Sequence, residues 1–194
     1  MAILADLEKE QISLILSSLF GGLVNNQENR EGFVFIERTT FSNKPSLQEL
    51  ELSYDGSMEY YKFKLGKSFK KIPSDDLDYA LDDYLSKNSS PVVLDEIQDT
   101  PAFKIDRSNS IYDKYIKNRH SFNNLTWEQQ LRADLPNCIG MGSISRPGYD
   151  PKTGLIFVYL GLHEDHLCGR TYYYIYKYLN GKIEFVESMP VMIS

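Results

Sequence analysis

The residue types best suited to chemistry sit together at His163-Glu164-Asp165-His166-Leu167-Cys168. Imidazole, carboxylate and thiolate are the ligand types that zinc takes. If the segment forms a loop that turns back on itself, His163, His166 and Cys168 are candidate metal ligands. A bound ion would activate water, with Glu164 or Asp165 as base, and the chain would then be a metal-dependent hydrolase. No second ligand pair stands at a recognised zinc spacing, and His120 or Cys138 reaches the loop only through tertiary folding. A solvated hairpin loop accounts for the same residues without a metal. The expectation is therefore no cofactor, with zinc as the alternative.

Arg146 is a second candidate. It precedes Pro147-Gly148 at the start of an apolar run, where a guanidinium can hold a carboxylate or phosphate through two parallel bonds. A structural ion pair with one of the chain's acids competes with that reading. Tyr174 and Tyr176 are candidate binding residues on a tyrosine-bearing strand. The chain holds no G-x-S-x-G elbow, no G-x-x-x-x-G-K-[ST], no G-x-G-x-x-G and no H-E-x-x-H, so no familiar catalytic constellation stands out.

These residues need a scaffold, and Asn180-Gly181 supplies its clearest signal. Both central positions of a type I′ turn need positive φ, which Asn tolerates and Gly accepts freely. The turn sets Leu179 against Lys182, Tyr178 against Ile183, Lys177 against Glu184, Tyr176 against Phe185 and Ile175 against Val186. One face then carries Tyr174, Tyr176, Tyr178, Ile183 and Phe185. The other sets Lys177 opposite Glu184, and a slip of one residue would destroy both patterns. Leu155 to Leu162 follows the turn residues Asp150-Pro151-Lys152-Thr153-Gly154 and is expected to join the same antiparallel sheet.

The span from Ile144 to Ser194 resembles the C-terminal region of a group of uncharacterised bacterial proteins. Their pattern runs S-R-x-G-F/Y, then A-L-V-Y-V, C-G-x-L-C-G-x-G-Y-Y-Y, N-G-K-W and a final W-I-S. Ser145, Arg146, Gly148, Tyr149, Leu167, Cys168, Gly169, Tyr172, Tyr173, Tyr174, Asn180, Gly181, Lys182, Ile193 and Ser194 match it. The first cysteine of the pattern falls at Glu164 and its tryptophans at Ile183 and Met192, so a paired-thiol role does not carry over. Weaker echoes lie in the N-terminal helix, VFIERTT and LDDYLSKN. The resemblance implies a shared fold and no established activity.

Toward the N-terminus, Leu4, Leu7, Ile12, Ile15, Leu16, Leu19 and Leu23 form an apolar stripe, predicting a helix over 3–23 that ends at Gly21-Gly22. Phe33 to Thr40 reads as a buried strand, and 50–65 as a strand region. Lys62, Lys64, Lys67, Lys70 and Lys71 lie among Tyr60, Tyr61, Phe63 and Phe69. That mixture can grip single-stranded nucleic acid, but it equally describes an edge strand kept soluble by lysines. Ser74 is placed as the N-cap of a helix over 75–87, with Leu77, Tyr79, Ala80, Leu81, Tyr84 and Leu85 on its buried face. Residues 91–108 read as an extended connector and 110–120 as a helix with Ile111, Tyr115 and Ile116 on one side. Thr126 to Gln129 is a capping box opening a short helix that ends before Pro136, with Trp127 as a packing anchor.

A length of 194 residues fits one domain over 1–194 with a core that needs no staples. The net charge of −6 argues against a duplex nucleic-acid binder. Two cysteines do not make a disulfide scaffold, no run is apolar enough to span a membrane, and the first residues are acidic rather than signal-like. The chain reads as cytoplasmic, or as secreted or periplasmic if a leader has been removed. The expected fold is α+β, an antiparallel sheet with a C-terminal three-stranded meander packed on N-terminal and central helices. The expected function is a non-enzymatic binding or interaction domain for a protein or small-molecule ligand, more in keeping with the residues than an enzyme. The alternatives are the metal-dependent hydrolase and an immunity-type inhibitor of a basic partner.

Overall fold

A computed structural model describes residues 4–26, 32–40, 68–117, 126–165 and 168–193. The expected strand region over 50–65, together with His120 and His166, lies outside these residues, as do Lys62, Lys64 and Lys67 of the basic run. Among the described residues the elements run α1 (Asp6–Asn26), β1 (Phe33–Ile36), α2 (Ser74–Lys87), β2 (Phe103–Ile105), a π-helical turn (Tyr112–Lys117) and α3 (Trp127–Asp134). Five strands follow: β3 (Cys138–Ile144), β4 (Gly148–Tyr149), β5 (Leu155–Asp165), β6 (Cys168–Leu179) and β7 (Lys182–Ile193).

The strands form one sheet in the order β2-β1-β3-β5-β6-β7, with β4 paired to β5. β5, β6 and β7 make the antiparallel meander, so the chain has the expected α+β fold. The other half differs from expectation, because β1 pairs parallel with both β2 and β3. Inside the supposed connector lie both β2 and a bridge between Thr39 and Val93. Three residues are too few to show a strand period, which is why β2 escapes a sequence reading.

Both faces of the sheet are covered. Along β5 the even positions Ile156, Val158, Leu160 and Leu162 pack with Ile12, Ile15, Leu16 and Phe20 of α1, and Val34 and Ile36 of β1 join them. The odd positions Leu155 and Phe157 pack with Leu77, Leu81 and Tyr84 of α2 on the other side. Phe33 and Phe35 turn to a third cluster that includes Tyr115, Trp127, Leu131 and Met141. A strand buried on both faces reads as a continuous apolar run rather than an alternation, as LIFVYL does.

Four of the five predicted hairpin pairs are present, from Leu179↔Lys182 to Tyr176↔Phe185. The fifth is displaced: Ile175 faces Glu187, because a bulge between Ile175 and Tyr176 leaves Val186 as the extra residue. The bulge places Glu187 where its carboxylate accepts the backbone N–H groups of Lys70 and Lys71 at 2.9–3.1 Å. A second irregularity beside Thr171 and Pro190 on β7 also interrupts this long edge strand, both devices that discourage edge pairing.

The helices depart from expectation at their ends. α1 continues through Gly21-Gly22 to Asn26. Two glycines cost only about 1 kcal/mol each, and Leu16 and Phe20 are held in the core. Leu7, placed on the apolar stripe, is 40% exposed. α2 starts at Ser74 with Pro73 as its N-cap, and the Ser74 hydroxyl donates to the neighbouring Asp75 carboxylate instead of capping. Tyr79 lies on the solvent side of α2, 57% exposed. The Thr126–Gln129 capping box forms as read, with both reciprocal bonds present.

Candidate functional site

The period of two along β6 brings Arg170, Tyr172, Tyr174 and Tyr176 to the α1 side of the sheet. Register then sets their neighbours: Arg170 faces Leu162, Tyr172 faces Leu160, and across the other edge Tyr174 faces Ser188 of β7. The helix α1 covers only part of this surface. Beyond Leu19 and Phe20 a cleft of about 320 Å³ opens, floored by Leu160 and Leu162 and bordered by Arg170, Tyr172, Tyr174 and Ser188.

The cleft has an apolar floor and a polar margin of one arginine, two tyrosines and a serine. Tyr172 and Tyr174 lie with ring centroids 5.6 Å apart, and Tyr174 continues the row onto Tyr176 at 6.1 Å, nearly parallel. Phe185 closes the row edge-on to both Tyr174 and Tyr176. Burial pushes the Tyr174 phenol up to about 12, the neighbouring Tyr172 adds to this, and Arg170 opposes it. At neutral pH the Tyr174 hydroxyl therefore stays protonated and can donate a hydrogen bond. Arg170 supplies the positive charge at the margin.

The residues singled out in the sequence separate into distinct places. Tyr174 borders the cleft. Tyr176 lies behind it in the core, 1% exposed, with a buried hydroxyl that has no hydrogen-bond partner among the described residues and a phenol pushed upward by burial.

Arg146 is engaged elsewhere. Its Nε and Nη2 donate to the Glu8 carboxylate at 3.0–3.2 Å, and its Nη1 donates to the Lys87 carbonyl at 3.1 Å. Asn88 completes the clasp, its side-chain oxygen accepting the Arg146 N–H and its amide donating to the Arg146 carbonyl, both at 2.8 Å. Arg146 thus ties α1, α2 and the β3–β4 connection together.

The expected loop over 163–168 is largely strand. β5 runs to Asp165 and β6 begins at Cys168, with Asp165 opposite Cys168 and His163 opposite Gly169. His163 is exposed and also pairs with Met141 of β3, so it lies on the α3 side of the sheet. His166 falls between the strands, outside the described residues. Cys138 is buried and its thiol is pushed up by that burial, so it is poorly suited to act as a thiolate.

Arg170, Tyr172 and Ser188 are the cleft residues that the sequence reading did not select. The alternation Arg170-x-Tyr172-x-Tyr174 was a usable signal, since it puts a cation in line with two tyrosines on one strand face. No protein family matches the chain, and neither a curated protein nor a solved structure does.

Proposed function

We propose that the chain is a non-enzymatic binding domain whose cleft beside α1 takes a small molecule with an apolar body and a single anionic end. The observation that carries this reading is the pairing within the cleft of Leu160 and Leu162 as floor with Arg170, Tyr172 and Tyr174 along one rim. Ligand pockets are commonly concave, mostly apolar and equipped with a few converging polar groups. A guanidinium at the margin would pair with a carboxylate, and the tyrosine hydroxyls would donate to it. The aliphatic or aromatic remainder would lie over the leucines and the Tyr172 ring.

Calorimetric titration with decanoate, set beside its uncharged counterpart decanol, tests the reading. Saturable one-to-one binding of decanoate is expected, with a dissociation constant on the order of tens of micromolar for a ligand of this size. Decanol should bind at least roughly tenfold more weakly, because it lacks the charge-assisted bonds. Absence of saturable decanoate binding, or equal affinity for decanol, would overturn it.

A further inference from the structure

The cleft carries one more polar group than an anionic end needs, Ser188 of β7. Its place comes from the bulge in the β6–β7 ladder. The pairs from Leu179↔Lys182 to Tyr176↔Phe185 run in one register, and in that register Tyr174 would face Glu187. The bulge between Ile175 and Tyr176 shifts the ladder by one residue, so that Ile175 faces Glu187 and Tyr174 faces Ser188. Directly opposed residues share a face of the sheet. The bulge thus turns a carboxylate away from the cleft and sets a neutral hydroxyl in its place, the kind of re-aiming that bulges perform beside functional sites. Glu187 goes instead to the Lys70 and Lys71 N–H groups.

Arg170 and Ser188 mark opposite ends of the cleft. Arg170 stands four residues before Tyr174 on β6 and faces Leu162, whereas Ser188 lies one strand across, level with Tyr174. At about 3.3 Å per residue the two levels are about 13 Å apart along the sheet. Leu162, Leu160 and the Tyr172 ring fill the interval. Ser188 is half-buried, and among the described residues its hydroxyl has no hydrogen-bond partner. Among the described residues lining the cleft, Arg170 alone is charged.

We propose that the cleft takes an unbranched carboxylic acid with a hydroxyl group at its far end, the carboxylate at Arg170 and the hydroxyl at Ser188. This rests on the reading of the cleft as a site for an apolar body with one anionic end, and adds what the other end must be. Carbon–carbon bonds of about 1.5 Å advance a zigzag chain by about 1.3 Å each, so about ten carbons span the distance. An alkyl end laid over Ser188 would strip water from its hydroxyl and return no bond. A ligand hydroxyl restores that bond, since both partners can donate and accept. Sites with such a group discriminate against the analogue that leaves it unpaired. A second carboxylate would lose its water at that end without meeting a cation.

Calorimetric titration of the full chain with ω-hydroxydecanoate, decanoate and decanedioate tests the proposal. The hydroxy acid is expected to bind roughly three- to tenfold more tightly than decanoate, and decanedioate no more tightly than decanoate. In Ser188→Ala the hydroxy acid and decanoate should bind equally, whereas Ser188→Thr, which keeps the hydroxyl, should retain the preference. Saturable decanoate binding without a preference for the hydroxy acid would overturn this inference and leave the reading of the cleft standing. A preference that persists in Ser188→Ala, or one for decanedioate, would do the same. Failure of all three acids to bind would overturn the reading of the cleft and this inference with it.

Discussion

Arg146 and Glu8 lie 138 residues apart in the chain and meet in a two-nitrogen ion pair on the inside of α1. Glu8 also accepts the Ala5 N–H at 3.1 Å and faces the Lys87 ammonium at 3.5 Å, so its carboxylate serves the helix start and the ion pair together. Burial pulls the Glu8 carboxyl up, but Arg146, the Ala5 N–H and Lys87 together hold it below the usual range.

Breaking this clasp should cost more than replacing it. Arg146→Met leaves Glu8 buried with only Lys87 opposite, and a loss of about 3–5 kcal/mol is expected in urea unfolding. Glu8→Leu combined with Arg146→Met should recover part of that loss, because the double change removes the orphaned charge. A loss under about 1 kcal/mol in the single variant would mean that the pair is solvated in solution.

The pH dependence assigned to Glu37 has the opposite sign from that of Glu8. Its folded carboxyl sits near 7 against an ordinary value of 4.5. Between those two values the folded state binds more protons than the unfolded state, so stability falls as pH rises. Glu37→Gln removes this loss. The variant should match the wild type near pH 4 and exceed it by roughly 2–3 kcal/mol at pH 8. Thermal or urea unfolding at the two pH values measures the difference, and a constant offset would show that the carboxyl is not desolvated.

Gly148 is the tightest backbone approach in the α2–β4 contact. A Cβ there would lie 2.1 Å from the Ala80 carbonyl oxygen and 2.5 Å from both the Tyr84 N and its Cβ. These are mostly backbone atoms and cannot swing aside. Gly148→Ala is expected to destabilise by at least about 3 kcal/mol or to prevent folding. Circular dichroism with urea titration checks this, and a variant within about 1 kcal/mol of wild type would place α2 differently on the sheet.

Much of this fold was legible wherever one residue type has one physical use. Asn180 and Gly181 both adopt positive φ, as their hairpin requires, and four side-chain pairs followed from that turn alone. The bulge at Val186 was not legible, since an extra residue leaves no local mark in an apolar strand. It depends on what Glu187 finds at Lys70 and Lys71. The parallel pairing of β1 was hidden for a similar reason: β2 and β3 lie far from it in sequence, and only packing selects them.

The candidate sites were legible in part. Tyr174 was selected for its strand face, while Arg170 became notable only when register set it beside Leu162 and Tyr172 beside Leu160. Glu37 carried no pattern at all, and its place beside Ser143 became visible only through the pairing of β1 with β3.

The expectation of no cofactor at 163–168 yields a prediction of its own. The thermal midpoint of the purified chain should stay unchanged when equimolar zinc is added. Elemental analysis of wild type and His163→Ala should likewise agree. About one equivalent of zinc in the wild type, lost in the variant, would instead support the metal-dependent reading.

The claim on which the account rests most heavily is that the cleft between α1 and β6 is a ligand site. Decanoate titrated calorimetrically into the wild type and into Ser188→Trp, which fills the cleft from β7, tests it most directly. The account predicts one-to-one binding by the wild type and a loss of at least roughly tenfold in the variant, with the fold of both confirmed by circular dichroism. Equal binding by the two proteins, or none by the wild type, would contradict it.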